Sequence, residues 1–218
     1  MVTDDWWDRD TKGWLDILHR DFWIIDSREI TVDPQGLIIR AEHVENRNTN
    51  LREIPVPFLR VYGNFKVSAK LTSLHNAPRE VTGGFDVSDN QLTSLVGGPT
   101  TVGEDYSCMY NKLENLVGAP DHVSRYMHVH QNPLTSLQGL PDGIGYFTVT
   151  NSVQKDLPLL RCLTVQGRVA VQDPQKFHWD EQLTDIMNDP QWHGKGKQGM
   201  LNCALALKKA GYQGNARW

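Results

Sequence analysis

His128 and His130 stand two residues apart, and in a β-strand that spacing puts both imidazoles on one face. Two histidines so placed can begin a metal site or an acid–base pair. A third ligand would have to come from a neighbouring segment, where Ser107 and Thr148 are poor donors, so no metal is expected. The same face reads as a protein-contact surface or as a solvated strand face. A second group lies near the C-terminus, where Gly194-Lys195-Gly196-Lys197-Gln198-Gly199 precedes a helical pattern. Backbone amides there, with the ammonium groups of Lys195 and Lys197, could hold a phosphate. The Gly-x-x-x-x-Gly-Lys-Ser/Thr order of a phosphate-binding loop is missing, which favours a solvated linker. His178, Glu181, Asp185 and His193 carry ligand and acid–base groups, yet they show neither HExxH spacing nor a ligand quartet. No catalytic residue is assigned, and neither enzymatic activity nor a cofactor is expected.

The elements that hold these residues follow from a repeat. Leu71-Thr72-Ser73-Leu74, Leu92-Thr93-Ser94-Leu95, Leu113-Glu114-Asn115-Leu116 and Leu134-Thr135-Ser136-Leu137 begin four cassettes spaced 21 residues apart. Pro78, Pro99, Pro120 and Pro141 fall at one shared position, and Asn90, Asn111 and Asn132 at another. Phe85-Asp86-Val87, Tyr106-Ser107-Cys108, Met127-His128-Val129 and Phe147-Thr148-Val149 alternate apolar with more polar residues, the pattern of a strand with one buried face. Each coil should therefore add one short parallel strand, with the asparagine satisfying backbone groups at the following bend. Val81-x-x-x-Phe85-x-Val87-x-x-Asn90-x-Leu92 is the leucine-rich-repeat signature with one residue added before the strand.

This predicts an α+β repeat solenoid, a leucine-rich-repeat-like stack of parallel strands with helical N- and C-terminal caps. Strand frames are expected at 65, 85, 106, 127, 147 and 169, with one more near 37. Residues 1–30 read as the N-terminal cap, 31–175 as the solenoid and 176–218 as the C-terminal cap. Trp14, Leu15, Leu18, Phe22 and Ile25 suit one face of a helix covering the first coil. Two further helices are expected near 179–188 and 198–210. Ser107 should face solvent, and Asn111 should be a buried polar support whose loss costs on the order of 1 to 3 kcal/mol.

The net charge is −4 and the sequence pI about 6.0, and no run of lysine or arginine occurs, so nucleic-acid binding is not expected. No apolar run is long enough to cross a membrane, and the opening residues lack a signal pattern. Cys108, Cys162 and Cys203 lie in apolar contexts and read as reduced, buried thiols of a cytoplasmic protein.

The Leu-Thr-Ser-Leu-x-Gly-x-Pro-x-x-Val cassette resembles the short leucine-rich-repeat-like proteins of tailed bacteriophages and some bacteria over roughly residues 51–151. Gly194-Lys195-Gly196-Lys197, Cys203-Ala204, Lys209-Ala210-Gly211-Tyr212 and Asn215-Ala216-Arg217-Trp218 resemble the tail of such phage proteins. The cassettes are also similar to the repeats of bacterial effector ubiquitin ligases, although the segment after the repeats is too short for a ligase domain. The resemblance implies a repeat scaffold with an interaction role and, for a phage protein, a host protein as partner in the host cytoplasm. A non-catalytic binding scaffold that inhibits or redirects a host defence protein is therefore expected. Its contact residues would be Met109, Tyr110, His128 and His130, extended by Lys66, Asp86 and Asp89. The alternative is a ligand-sequestering or enzymatic protein with a phosphate or nucleotide site at Lys195 and Lys197. Homo-oligomerisation stays open.

Overall fold

A computed structural model describes residues 9–141, 143–150, 168–173, 178–192 and 195–212. Helix α1 (Arg9–Asp21) leads into β1 (Phe22–Ile25), β2 (Glu29–Asp33), β3 (Gly36–Asn46) and β4 (Phe58–Lys66). The coils that follow supply β5 (Glu80–Val81), β6 (Phe85–Asp86), β7 (Thr101–Val102), β8 (Tyr106–Ser107), β9 (His122–His128), β10 (Gly143–Thr150) and β11 (Val169–Gln172). Helices α2 (Glu181–Asn188) and α3 (Gly196–Lys209) close the described chain. The strands form one sheet in which every pairing from β3 to β11 is parallel, so the fold is an α+β repeat solenoid with helices at its ends.

The predicted frame coincides with the observed register. Phe65, Phe85, Tyr106, Met127, Phe147 and Val169 pair in sequence across the sheet and are all buried. Because successive coils repeat the same residue at the same place, aromatic rings stack along the solenoid axis. Phe65 and Phe85 lie 5.6 Å apart, and Phe85 and Tyr106 5.4 Å apart, each pair nearly parallel. A second buried row, Val61, Val81, Val102 and Val123, runs beside the first and ends in Ile144. The strand near 37 is present, but Val44 rather than Leu37 pairs with Phe65.

Tyr106 alone brings a hydroxyl into the aromatic row, and among the described residues that oxygen is the buried side-chain polar atom without a partner. Burial pushes its phenol well above the ordinary tyrosine range. Tyr106→Phe should keep the stack and remove the unsatisfied group, so thermal denaturation is expected to show a higher Tm, by about 1 kcal/mol of stability. An unchanged or lower Tm would show that the hydroxyl is satisfied.

Asn90, Asn111 and Asn132 perform the support expected of them. Asn111 Oδ1 accepts from Leu92 N (2.9 Å), and its Nδ2 donates to the carbonyls of Val87 (2.9 Å), Cys108 (3.1 Å) and Met109 (3.1 Å). Each asparagine thus pairs groups on its own coil and on the coil before it. The residue ahead of each, Asp89, Tyr110 or Gln131, has a left-handed backbone with φ of 57°, 52° and 58°.

The two open edges of the sheet are covered differently. On the N-terminal side, β2 and β1 lie antiparallel along consecutive parts of β3. The expected helical face therefore stops at Asp21: Phe22–Ile25 is strand, because β3 offers it an unpaired edge and Phe22 reaches the core from there. At the far end α2 packs on β11 and its side chains replace a neighbouring strand. Asn188 accepts from Val169 N (2.9 Å) and donates to Val169 O (2.6 Å), while Thr184 Oγ1 accepts from Val171 N (3.1 Å). Residues four apart share a helix face, which is why this Thr and Asn can serve one strand together. Cys108 and Cys203 are buried and not joined in a disulfide, and Cys162 lies outside the described residues. No helix among the described residues is long and apolar enough to cross a membrane.

Candidate functional site

Register lays the outward side chains out in rows. Glu45, Lys66, Asp86, Ser107, His128 and Thr148 occupy one of them. Lys66 is exposed and paired with Glu45 at 3.1 Å. Its ammonium is held above the usual lysine range first by that bond, with Asp86 and Asp89 adding to it. No basic side chain forms an ion pair with Asp86 or Asp89 among the described residues. Ser107 is outward but only 9% exposed, because its hydroxyl is engaged by Ser88 Oγ at 2.8 Å. The expectation of a solvent-facing Ser107 is therefore corrected: side chains one coil away cover it.

His128 and His130 converge on one atom. Their Nδ1 atoms lie 2.9 and 3.0 Å from Thr148 Oγ1. A hydroxyl has one proton to give, so the arrangement is complete when one imidazole donates through Nδ1–H and the other accepts at a bare Nδ1. His130 is 9% exposed, and its pKa is pushed down to about 4 by burial and then by the neighbouring His128. His128 is lowered too, by burial, against the opposing pull of Asp105 and Asp86.

The consequence for pH follows from the sign of these shifts. An unfolded histidine titrates near about 6.5, so between that value and about 4 the unfolded chain binds the extra proton. Stability contributed by neutral His130 is complete above the unfolded pKa and is lost as pH falls toward the folded one. A Tm series between about pH 7 and about pH 4.5 should decline, and His130→Gln, which can still bond Thr148, should flatten the decline. Parallel curves for the two proteins would refute a buried neutral His130.

Aromatic rings surround the histidines. Tyr126 stacks on His128 (5.8 Å, 8°) and lies 5.3 Å from Tyr146. Tyr110 and Trp179 approach His130 edgewise at 6.1 and 5.3 Å. Tyr110 and Trp179 remain 49% and 43% exposed, and Tyr126 is also exposed. Tyr110 pays a conformational cost to be there, since a bulky residue at φ 52° is uncommon where Asp and Gln serve the adjacent coils.

Of the residues singled out in the sequence, the structure brings together Met109, Tyr110, His128 and His130, with Asp86, Asp89 and Lys66 toward the N-terminal side. Met109 and His128 are half-buried, and Asp89 is exposed. Tyr126, Tyr146 and Trp179 join them without having been among the sequence candidates. Tyr126 was legible, because Tyr126-x-His128-x-His130 keeps the two-residue period of one face. Trp179 carries no such signal and arrives by folding back of the chain after β11.

Lys195 and Lys197 are exposed at the start of α3, and neither is among the described residues that line the cavity beside His178. Gly196 and Lys197 already belong to the helix. Among the described residues no three His, Cys, Asp or Glu side chains gather closely enough to hold a metal ion. His193 lies outside the described residues. Comparison with protein-family models, with curated proteins and with solved structures found no match to this chain.

Proposed function

We propose that the protein is a non-catalytic binding scaffold whose outward sheet face, centred on Tyr110, Tyr126, His128 and His130, engages a protein with a basic surface. The observation that carries this reading is Tyr110, an exposed ring held in a left-handed backbone conformation beside His130. Strain of this kind persists where the surroundings hold it in place, and it gathers at binding sites. Charge supports the partner's chemistry: the net charge is −4, and Asp86 and Asp89 flank the aromatic residues without an ion-pair partner among the described residues. The resemblance of the cassettes to phage proteins extends the proposal to a host protein, inhibited or redirected in the host cytoplasm.

Tyr110→Asn is the decisive variant. Asparagine accepts a left-handed backbone, so the fold should be as stable as the parent or more so. An exposed aromatic anchor is nevertheless lost, and affinity for a partner recovered by pull-down should fall by about 2 kcal/mol, roughly thirtyfold. Tyr126→Thr should weaken binding in the same direction. Parental affinity in both variants, measured by calorimetry, would remove the sheet face from the interface. The double change of His128 and His130 to Ala is less clean, because it strips the Thr148 hydroxyl of both its partners.

A further inference from the structure

Trp179 has two neighbourhoods. One edge meets His130 on the sheet face, and the ring also walls a cavity of about 450 Å³ between the end of β11 and the start of α2. The other described residues of that wall are Asp173, His178, Asp180, Glu181, Gln182 and Tyr212. Three carboxylates and two aromatic rings are among them, and none of the described lining residues is lysine or arginine.

The chain builds this cavity for structural reasons and leaves part of it unused. Gln172 is bridged antiparallel to Trp179, and Asp173 N donates to His178 O at 2.9 Å. That pairing presents the indole at the cavity mouth. Asp180 caps α2: its Oδ1 accepts from Leu183 N (2.9 Å) and from the Tyr212 hydroxyl (2.7 Å). Among the described residues its Oδ2 has no partner, and Glu181 beside it is exposed with no ion pair. The field inside is negative enough to act on Tyr212, whose phenol is pushed up to about 12 by burial first and then by Asp180, with Asp173 adding to it.

We propose that this cavity receives an arginine side chain of the protein partner, the guanidinium stacking on Trp179 and donating to Asp180 Oδ2 and the Glu181 carboxylate. The chemistry selects that group. A planar cation can lie against an indole face while its edge donates to a carboxylate, and a lysine ammonium satisfies only one of these demands as fully. A phosphate or other anion is repelled by the Asp180 and Glu181 carboxylates. Since Trp179 joins the cavity to His130, a partner segment lying across Tyr110 and His130 has its next anchor here. The inference thus rests on the sheet-face reading for its partner, though not for its test.

The test uses the isolated chain and N-acetyl-arginine amide as probe, with N-acetyl-citrulline amide as the neutral isostere and N-acetyl-lysine amide as the point-charge analogue. The readout is the Trp179 indole N–H resonance, assigned by its loss in Trp179→Phe. Arginine amide should shift it saturably, and citrulline amide should bind at least about tenfold more weakly. Glu181→Gln leaves the Asp180 cap in place and should weaken the arginine probe by about tenfold. High salt should act in the same direction. Equal responses to arginine and citrulline, no saturable shift, or full affinity in Glu181→Gln would overturn the assignment. Lysine amide binding as tightly as arginine amide would overturn the choice of arginine. These outcomes are independent of the Tyr110 experiment. A pocket that fails leaves the sheet face standing, and a partner indifferent to Tyr110→Asn and Tyr126→Thr leaves the pocket standing.

Discussion

Gly118→Ala should cost about 3 kcal/mol or more, a loss far beyond what one methyl group ordinarily causes. Gly118 has φ 93°, a conformation that L side chains rarely adopt, and an added Cβ would sit 2.3 Å from Val96 N and 2.4 Å from Leu95 C. These contacts are with backbone of the preceding coil, so no rotamer change relieves them. The coils are held together at this edge by bonds such as Leu95 N to Val117 O (3.3 Å), and separating them to admit the methyl would lengthen that pairing. Gly118→Asn sharpens the test, since asparagine tolerates the dihedral yet still carries the Cβ; Asn76 adopts φ 68° in the first cassette. Both variants should lower the urea midpoint strongly. Gly13→Ala, in α1 with nothing within 4 Å of the new methyl, should instead raise it, through a gain of up to about 1 kcal/mol in stability. If Gly118→Asn restores parental stability, backbone dihedral strain rather than coil contact is the cause.

Asn111→Leu is expected to destabilise by about 3 kcal/mol, the upper part of the range for an unmade buried hydrogen bond, because one side chain serves four backbone groups. A leucine would strand Leu92 N–H and three carbonyls in a site that is 7% exposed. Asn111→Asp isolates the contributions: it keeps the acceptor for Leu92 N–H but turns a carboxylate toward the carbonyls of Val87, Cys108 and Met109. It should therefore unfold at lower urea than the parent, and the gap should widen as pH rises above the carboxyl range. The neighbouring Lys112 is exposed, and Lys112→Leu should stay within about 0.5 kcal/mol. Comparable losses at 111 and 112 would contradict the coil register.

Periodicity carried much of this into the sequence. Phe65, Phe85, Tyr106, Met127, Phe147 and Val169 could be aligned without coordinates because each residue's neighbour across the sheet is its counterpart one cassette away. Local chemistry and tertiary contact are then the same information. The asparagine row and the outward placement of His128 and His130 follow from that identity. What failed did so where the repeat stops or where a side chain bends toward its neighbours. Ser107 lies on the expected face but is covered by Ser88, and Leu37 lies in the expected strand while Val44 takes the place beside Phe65.

By itself the sequence determined the coil, its inward face and the row on which the two histidines lie, since a stacked repeat can bury its apolar residues only against copies of themselves. Tertiary structure alone decided how the ends close. It turned Phe22–Ile25 into an edge strand, set Thr184 and Asn188 against β11, and brought Trp179 onto His130 beside a cavity of carboxylates. Those contacts join non-repeating segments to the solenoid. Their partners are fixed by which backbone edges and apolar faces the coils at either end leave uncovered, and no spacing within the segments themselves records that.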